Sequence, residues 1–367
     1  MPLITSVLGA RPQFIKAAPL LATLESETGF EQEIIHTGQH YDANMSAVFF
    51  EELGIPEPDV NLGVGSGRHG AQTAEMLTKL EARLLQRRPD VLVIYGDTNS
   101  TLAGALAAAK LAIPIAHVEA GLRSFNREMP EEINRVLADQ LAALLFAPTP
   151  VAVNNLKNED LDEASIFLVG DLMVDAILAN KERAAKKSEL PSRLGLERGD
   201  YFVATVHRQE NTDDEANLRA IWAALNELSR ETPLILPLHP RTRKQLSALD
   251  IDLSASKHLR ILDPVGYLDM VSLVSNAALL LTDSGGLQKE AFALGVPCVT
   301  LRRETEWVEL VEVGANTLTD PADKGSILAA VNKMRAVRVD PLQHALYGQG
   351  NTAEQIGEVL GQYLLKG

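Results

Sequence analysis

Short apolar runs alternate with helix-patterned stretches along the whole chain, and this rhythm constrains the fold more than any other feature. Such alternation is the pattern of a parallel α/β sheet. In the first half the strand candidates are Leu3 to Leu8, Glu33 to His36, Val91 to Tyr95, Ile115 to Val118, Leu144 to Ala147 and Ile166 to Val169. In the second half they are Phe202 to Val206, Leu234 to Leu238, Leu259 to Leu262, Ala278 to Leu281 and Cys298 to Leu301. Polar and glycine residues gather just after several runs: Gly9-Ala10-Arg11, Gly96-Asp97-Thr98, Glu119-Ala120-Gly121, His207-Arg208 and Asp283-Ser284-Gly285. In open α/β sheets ligands bind beyond the carboxyl ends of the strands. A charged segment, Lys181 to Asp200, reads as a helix plus linker between the halves. At 367 residues two domains are the natural expectation. They are placed at residues 1–180 and 181–367, both Rossmann-like and doubly wound, facing each other across a cleft.

The turn after Leu281 is the most telling local feature. Thr282-Asp283-Ser284-Gly285-Gly286 ends an apolar run, and a helix-like stretch from Leu287 to Leu294 follows. The first N–H groups of such a helix lack internal partners and face outward with the positive end of its dipole. Two glycines let a phosphate approach the backbone. Glu290 falls about one helical turn in, in reach of a ribose diol. A tight turn without a ligand is the bland alternative.

Other constellations carry two readings each. Arg11 and Lys16 flank Pro12, which suits a first helical turn; they form an anion site or a solvated basic pair. Asp97 or Thr98 caps the alanine-rich helix that follows, or Asp97 is a strand-end acid. Glu119 follows an apolar strand, and Glu131 and Glu132 open a helix, where acids are favourable for dipole reasons alone. Acids crowded in one cleft raise one another's pKa values and make an acid/base set. His207 and Arg208 form a phosphate-facing pair or a surface turn. A metal site at His36, His40 and His239 is disfavoured, since the spacing matches no zinc pattern and no cysteine accompanies it. No metal is expected.

Composition excludes partners rather than naming one. A formal net charge of -15 argues against nucleic acid or an anionic membrane, which favour basic surfaces. The single cysteine, Cys298, forbids an intrachain disulfide, suits a reducing compartment and lies in an apolar run as a structural thiol. No apolar stretch is long enough to span a bilayer, and the N-terminus lacks a signal-peptide profile. A cytoplasmic location is expected.

As an ordered set, the segments Gly9 to Lys16, Thr37-Gly38-Gln39-His40, Gly96-Asp97-Thr98, His117 to Arg123, Pro130 to Arg135, His207-Arg208 and Thr282 to Glu290 resemble the non-hydrolysing UDP-N-acetylglucosamine 2-epimerase family, over nearly the whole chain. The resemblance implies a glycosyltransferase-B-like architecture with a nucleotide-sugar in the cleft and a C-terminal helix that crosses back. It implies elimination of UDP across C1 and C2 of the sugar, leaving a 2-acetamidoglucal, then re-addition of UDP with C2 reprotonated on the other face. Asp97, Glu119 and Glu131 would form the acid/base group, and His207 would support departure of the UDP oxygen. Arg11, Lys16, Arg208, Ser284, Gly285, Gly286 and Glu290 would hold the substrate. No cofactor is required, and a homodimer is the expected assembly.

Two segments depart from the commoner family pattern. Thr305-Glu306-Trp307-Val308-Glu309 lacks Arg-Pro after Thr-Glu, and Gln13-Phe14 replaces Glu-Ala. Both look like the branch acting on UDP-2,3-diacetamido-glucuronate, which stands as the alternative to UDP-N-acetylglucosamine. The residues after Gln39-His40, Tyr41 to Asn44, differ from those of the family's allosteric site. A glycosyltransferase of the same architecture is the rival reading.

Overall fold

A computed structural model describes residues 1–26, 29–39, 50, 54–251, 258–341 and 346–366. The chain divides into two compact units, Met1–Ala176 with Leu346–Gly367, and Ile177–Ala345. The division falls inside one helix, Leu172–Lys187. His40 and Tyr41 to Asn44 lie outside the described residues.

The first unit is built on a seven-stranded parallel sheet: β1 (Leu3–Leu8), β2 (Glu31–His36), β3 (Val60–Asn61), β4 (Val91–Tyr95), β5 (Ile115–Val118), β6 (Leu144–Ala147) and β7 (Ile166–Leu168). Their spatial order is β3-β2-β1-β4-β5-β6-β7. The second unit has β8 (Phe202–Thr205), β9 (Leu234–Pro237), β10 (Leu259–Leu262), β11 (Leu279–Thr282), β12 (Cys298–Thr300) and β13 (Asn316–Leu318), in the order β10-β9-β8-β11-β12-β13. Every pairing between these strands is parallel. Both units are therefore the expected doubly wound α/β fold. The central strands are buried along their whole length, as in Val91–Tyr95 and Leu279–Thr282. Helices cover both faces of such a sheet, so an unbroken apolar run is what burial on both sides requires.

In each sheet the strand order reverses once: between β1 and β4 in the first, and between β8 and β11 in the second. Open α/β sheets bind ligands at these switch points, outside the carboxyl ends of the strands. Gly9 to Arg11 leave β1 and Gly96-Asp97 leave β4; His207-Arg208 follow β8 and Asp283-Ser284 leave β11. Four of the five strand-end motifs thus fall at the two reversals, and the fifth, Glu119-Ala120-Gly121, leaves β5 beside the first.

Local packing explains two further features. The helix Asn99–Lys110 is rich in alanine because it lies tight on the sheet. A Cβ on its Gly104 would stand 3.1 Å from Ile94 Cγ2. The segment after Leu346 belongs to the first unit, where Asp171 N donates to Tyr347 O at 2.9 Å and Ala353 N to Asp175 Oδ1 at 2.9 Å. The turn is close enough that a Cβ on Gly170 would sit 2.9 Å from Tyr347 O. The helix Thr352–Lys366 then packs along Arg11–Ser26. Cys298 is buried on β12, and burial pushes its thiol up to about 12, far from a nucleophile's range. Among the described residues no helix is long and apolar enough to cross a membrane.

Candidate active site

In the first unit a cavity of about 800 Å³ opens at the β1/β4 reversal, lined by Arg11, Gln39, His69, Asp97, Asn99, Glu131 and Asn134 among others. The helix cap beside it is Thr98, whose hydroxyl accepts from Thr101 N in a reciprocal capping box. Asp97 is thereby released from capping. Its carboxylate pairs with Arg135, and its backbone carbonyl accepts from Asn134 Nδ2 at 2.9 Å. Glu131 stands exposed in the first turn of the helix Pro130–Leu141, which also supplies Asn134 and Arg135.

Glu119 reaches the same neighbourhood from β5. Its carboxylate is buried, and a Cβ on Gly96 would lie 3.2 Å from Glu119 Oε2. Its backbone is left-handed, at φ 68°, a conformation that non-glycine residues adopt at a cost. Lys16 Nζ donates to both of its oxygens at 2.8 Å. Burial opposes the Lys16 charge, but Glu119, with Asp171 and Asp97 beyond, outweighs it and holds the ammonium above its usual pKa. Lys16 is therefore engaged with a candidate acid. The structure brings Asp97 and Glu131 to one cavity wall and seats Glu119 beside the turn that carries Asp97.

In the second unit Asp283, fully buried, organises the other strand ends. It accepts from His207 N at 3.0 and 3.1 Å, from Arg208 N at 3.0 Å and from Asn211 Nδ2 at 3.2 Å. Its Oδ1 lies 3.3 Å from His207 Nδ1, which orients a ring that is 43% exposed. Ser284 is the N-cap of the helix Gly285–Leu294, accepting from Leu287 N. Gly285 lies under Glu306, whose carboxylate would collide with any Cβ there. Glu306 pairs with Arg302 at 2.8 Å and with Arg208 at 3.6 Å. Burial works against that carboxylate, but its donors outweigh it and hold it below the usual range. A Cβ on Gly286 would meet open space. Glu290 is half-buried, and burial pushes its carboxyl up to about 7.

Gln13 is buried and engaged within the first unit. Its carbonyl accepts from Gly9 N at 2.8 Å and Ala10 N at 3.1 Å, and its amide donates to Tyr95 O at 2.7 Å. It pins the β1 turn to the end of β4. Among the described residues no cluster of three metal-binding side chains occurs. His36 is buried and takes the Gly38 N–H, and His239 caps the helix Pro240–Ala248. Asn134, Arg135 and Asp283 are site residues that sequence reasoning left without roles, because their partners are distant in the chain.

Two doubly wound parallel sheets with polar turns at both switch points place the protein in the glycosyltransferase-B-like class of α/β folds. Residues 22–361 match the family model described as UDP-N-acetylglucosamine 2-epimerase, and the chain belongs to that family. The UDP-2,3-diacetamido-2,3-dideoxy-D-glucuronate 2-epimerase of Pseudomonas aeruginosa is 49% identical over 362 residues, 98% of this chain and 99% of its own. The UDP-N-acetylglucosamine 2-epimerase of Methanocaldococcus jannaschii is 46% identical over 372 residues, 98% of this chain and 100% of its own. A crystal structure of the Methanocaldococcus jannaschii UDP-GlcNAc 2-epimerase in complex with UDP-GlcNAc and UDP superposes with a TM-score of 0.81 at 45% identity, covering 98% of this chain and 99% of that one.

Proposed function

We propose that the protein is a non-hydrolysing C2 epimerase that converts UDP-N-acetylglucosamine to UDP-N-acetylmannosamine. The observation that carries this reading is the acid set of the first unit: Asp97 spared from capping, Glu131 on the same cavity wall, and Glu119 beside them. C2–H of the sugar is a very weak acid, so its removal needs a positioned base. In the first half-reaction an acid-set carboxylate takes that proton, the C1–O bond breaks, and UDP departs with the electron pair. In the second, UDP adds back to C1 as C2 is protonated on the opposite face. His207, oriented by Asp283, is assigned to the departing UDP oxygen. Arg11, Arg208, Ser284, Gly285, Gly286 and Glu290 are assigned to UDP, and Lys16 to holding Glu119. The single buried thiol suits a reducing compartment, and the cytoplasm is the proposed location.

A second reading, the same inversion on UDP-2,3-diacetamido-glucuronate, is favoured by the relative from Pseudomonas aeruginosa. Position 13 does not bear on the choice, since Gln13 spends its amide on the backbone of the β1 and β4 turns and on the Thr98 and Thr101 hydroxyls. Trp307 is likewise held by its own unit: its indole donates to Gly285 O at 2.9 Å and its ring lies 4.3 Å from Lys289 Nζ. One experiment reads both questions, NMR of each UDP-sugar with the enzyme in heavy water. Deuterium is expected at C2 as the epimer appears; inversion with the original hydrogen fully retained would remove the elimination route. A specificity constant more than about 100-fold higher for the uronate, beyond what one missing apolar contact supplies, would reverse the choice of sugar.

The Glu290 carboxyl adds a pH signature. A diol donates best to an ionised carboxylate, and burial leaves this one half-protonated at about pH 7. UDP affinity is therefore expected to fall as pH drops from about 8 to about 6, with a proton released on binding near and below neutrality. Calorimetry in buffers of different ionisation enthalpy reads that proton, and Glu290→Gln is expected to reduce the release to what the UDP terminal phosphate itself contributes, while weakening UDP. Binding heats independent of the buffer in the parent chain would separate Glu290 from the nucleotide.

A further inference from the structure

We infer that His117 is a positioning residue for the epimerisation, a charged strut that holds the turns bearing Asp97 and Glu119 at a fixed spacing. The inference rests on the acid/base roles proposed above. His117 lies on β5 with no solvent exposure, two residues before Glu119. One ring nitrogen, Nδ1, stands 2.7 Å from Asp139 Oδ1; the other, Nε2, stands 2.7 Å from Gly96 O. A carboxylate and a backbone carbonyl only accept, and a neutral imidazole carries one N–H. Both bonds are satisfied together only by the doubly protonated ring.

The surroundings suit that charge. Asp139 Oδ2 accepts from Gly121 N at 3.1 Å and pairs with Arg123 at 2.7 Å, and Arg123 also forks onto Glu159 at 2.7 Å through two nitrogens. Two buried cations thus face two carboxylates, and the Glu119 carboxylate lies in the same field. Burial alone would lower the His117 pKa, but Asp139, the Gly96 carbonyl and Glu119 outweigh it and the pKa is raised.

Each bond of the strut ends on a candidate acid's support. Gly96 precedes Asp97, and its N–H already donates to Val118 O at 3.0 Å, so the imidazolium closes a second tie between the same two turns. Asp139 sits on the helix Pro130–Leu141, which opens with Glu131 and sends Asn134 and Arg135 to Asp97. Asp139 also takes Gly121 N, fixing the far side of the Glu119 turn. A core ion pair that only stabilised the fold would not need its second nitrogen on the carbonyl preceding an active-site acid.

Two isosteres separate the two bonds. Asn at 117 places an amide near the Nδ1 position and keeps a donor toward Asp139 alone; Gln reaches the Nε2 position and keeps a donor toward Gly96 alone. Turnover is measured per folded molecule, alongside UDP affinity by calorimetry. His117→Asn is expected to lower kcat about 10- to 100-fold, the range of a small misplacement of reacting groups, with UDP affinity within about twofold. His117→Gln, which keeps the Gly96 tie and loses the Asp139 tie and the charge, is expected to recover only part of that loss. An Asn variant within about twofold of the parent overturns the inference, as does a Gln variant no better than Asn.

Should both variants fail to fold, the parent chain still decides. Imidazole nitrogen NMR is expected to show both His117 nitrogens protonated at a pH where a free imidazole is neutral, and a neutral tautomer there overturns the strut. Failure of the parent to epimerise either UDP-sugar overturns the proposed function, and this role with it, and is distinguished by being seen without any substitution.

Discussion

Asp97→Asn, Glu119→Gln and Glu131→Gln are each expected to cut epimerase turnover by at least about 100-fold, the usual loss when a positioned acid or base is removed. UDP affinity is expected to stay within a few-fold, because the nucleotide contacts are assigned to other residues. The three changes differ in their side effects. Glu131 is exposed at a helix start, so Gln there leaves the fold intact and gives the cleanest kinetic result. Asp97→Asn leaves Arg135 with Glu132, its neighbour one turn back at 3.2 Å. Glu119→Gln strips the Lys16 ammonium of its ion partner inside the protein, so stability is expected to fall along with turnover. Steady-state kinetics with thermal melts on the same samples separates the two effects. Near-normal turnover in all three variants would return these acids to structural roles.

Gly121→Ala is expected to lower folding stability by about 2–5 kcal/mol, summing a left-handed backbone and an overpacked contact. Gly121 sits at φ 82°, and a Cβ there would collide with Ala152 O, lie 2.8 Å from Ala152 C and 2.9 Å from Leu156 Cγ. The helix Pro150–Asn158 therefore fits only against a bare backbone. Denaturant unfolding of the parent and the variant reads the loss; a change under about 1 kcal/mol would mean that the turn relaxes freely. Activity is expected to suffer as well, since Gly121 N is one of the groups that Asp139 holds.

Strands with an apolar run were legible in the sequence, including the partly buried edge strands Ile166–Leu168 and Leu259–Leu262. Val91–Tyr95, Ile115–Val118 and Leu144–Ala147 coincide with their apolar runs, because in a covered parallel sheet the run is the strand. The edge strands Val60–Asn61 and Asn316–Leu318 have no such run. They are two and three residues long; each pairs with a neighbouring strand's backbone, and the second is also held by Asn316, whose side chain accepts from the Thr300 hydroxyl and donates to Gln288. At the site, the acids stood out because each follows a strand or opens a helix. Their partners did not, since Lys16 is 103 residues from Glu119 and the His207 and Asp283 pair spans 76. No local pattern carries a contact of that span. Asp97 and Thr98 were equally fit to cap the next helix, and only the path of the backbone leaving β4 chose Thr98.

The return of the segment after Leu346 has a consequence for biosynthesis. A chain growing on the ribosome exposes β1 through β7 first, yet the helix that packs along Arg11–Ser26 is made only after the whole of Ile177–Ala345. The second unit is contiguous and can close as soon as it emerges, whereas the first must wait with one layer unfinished. The order of completion is thus the reverse of the order of appearance, and during that wait the apolar flank of the first helix, rather than any part of the catalytic machinery, is the surface most in need of protection from other nascent chains.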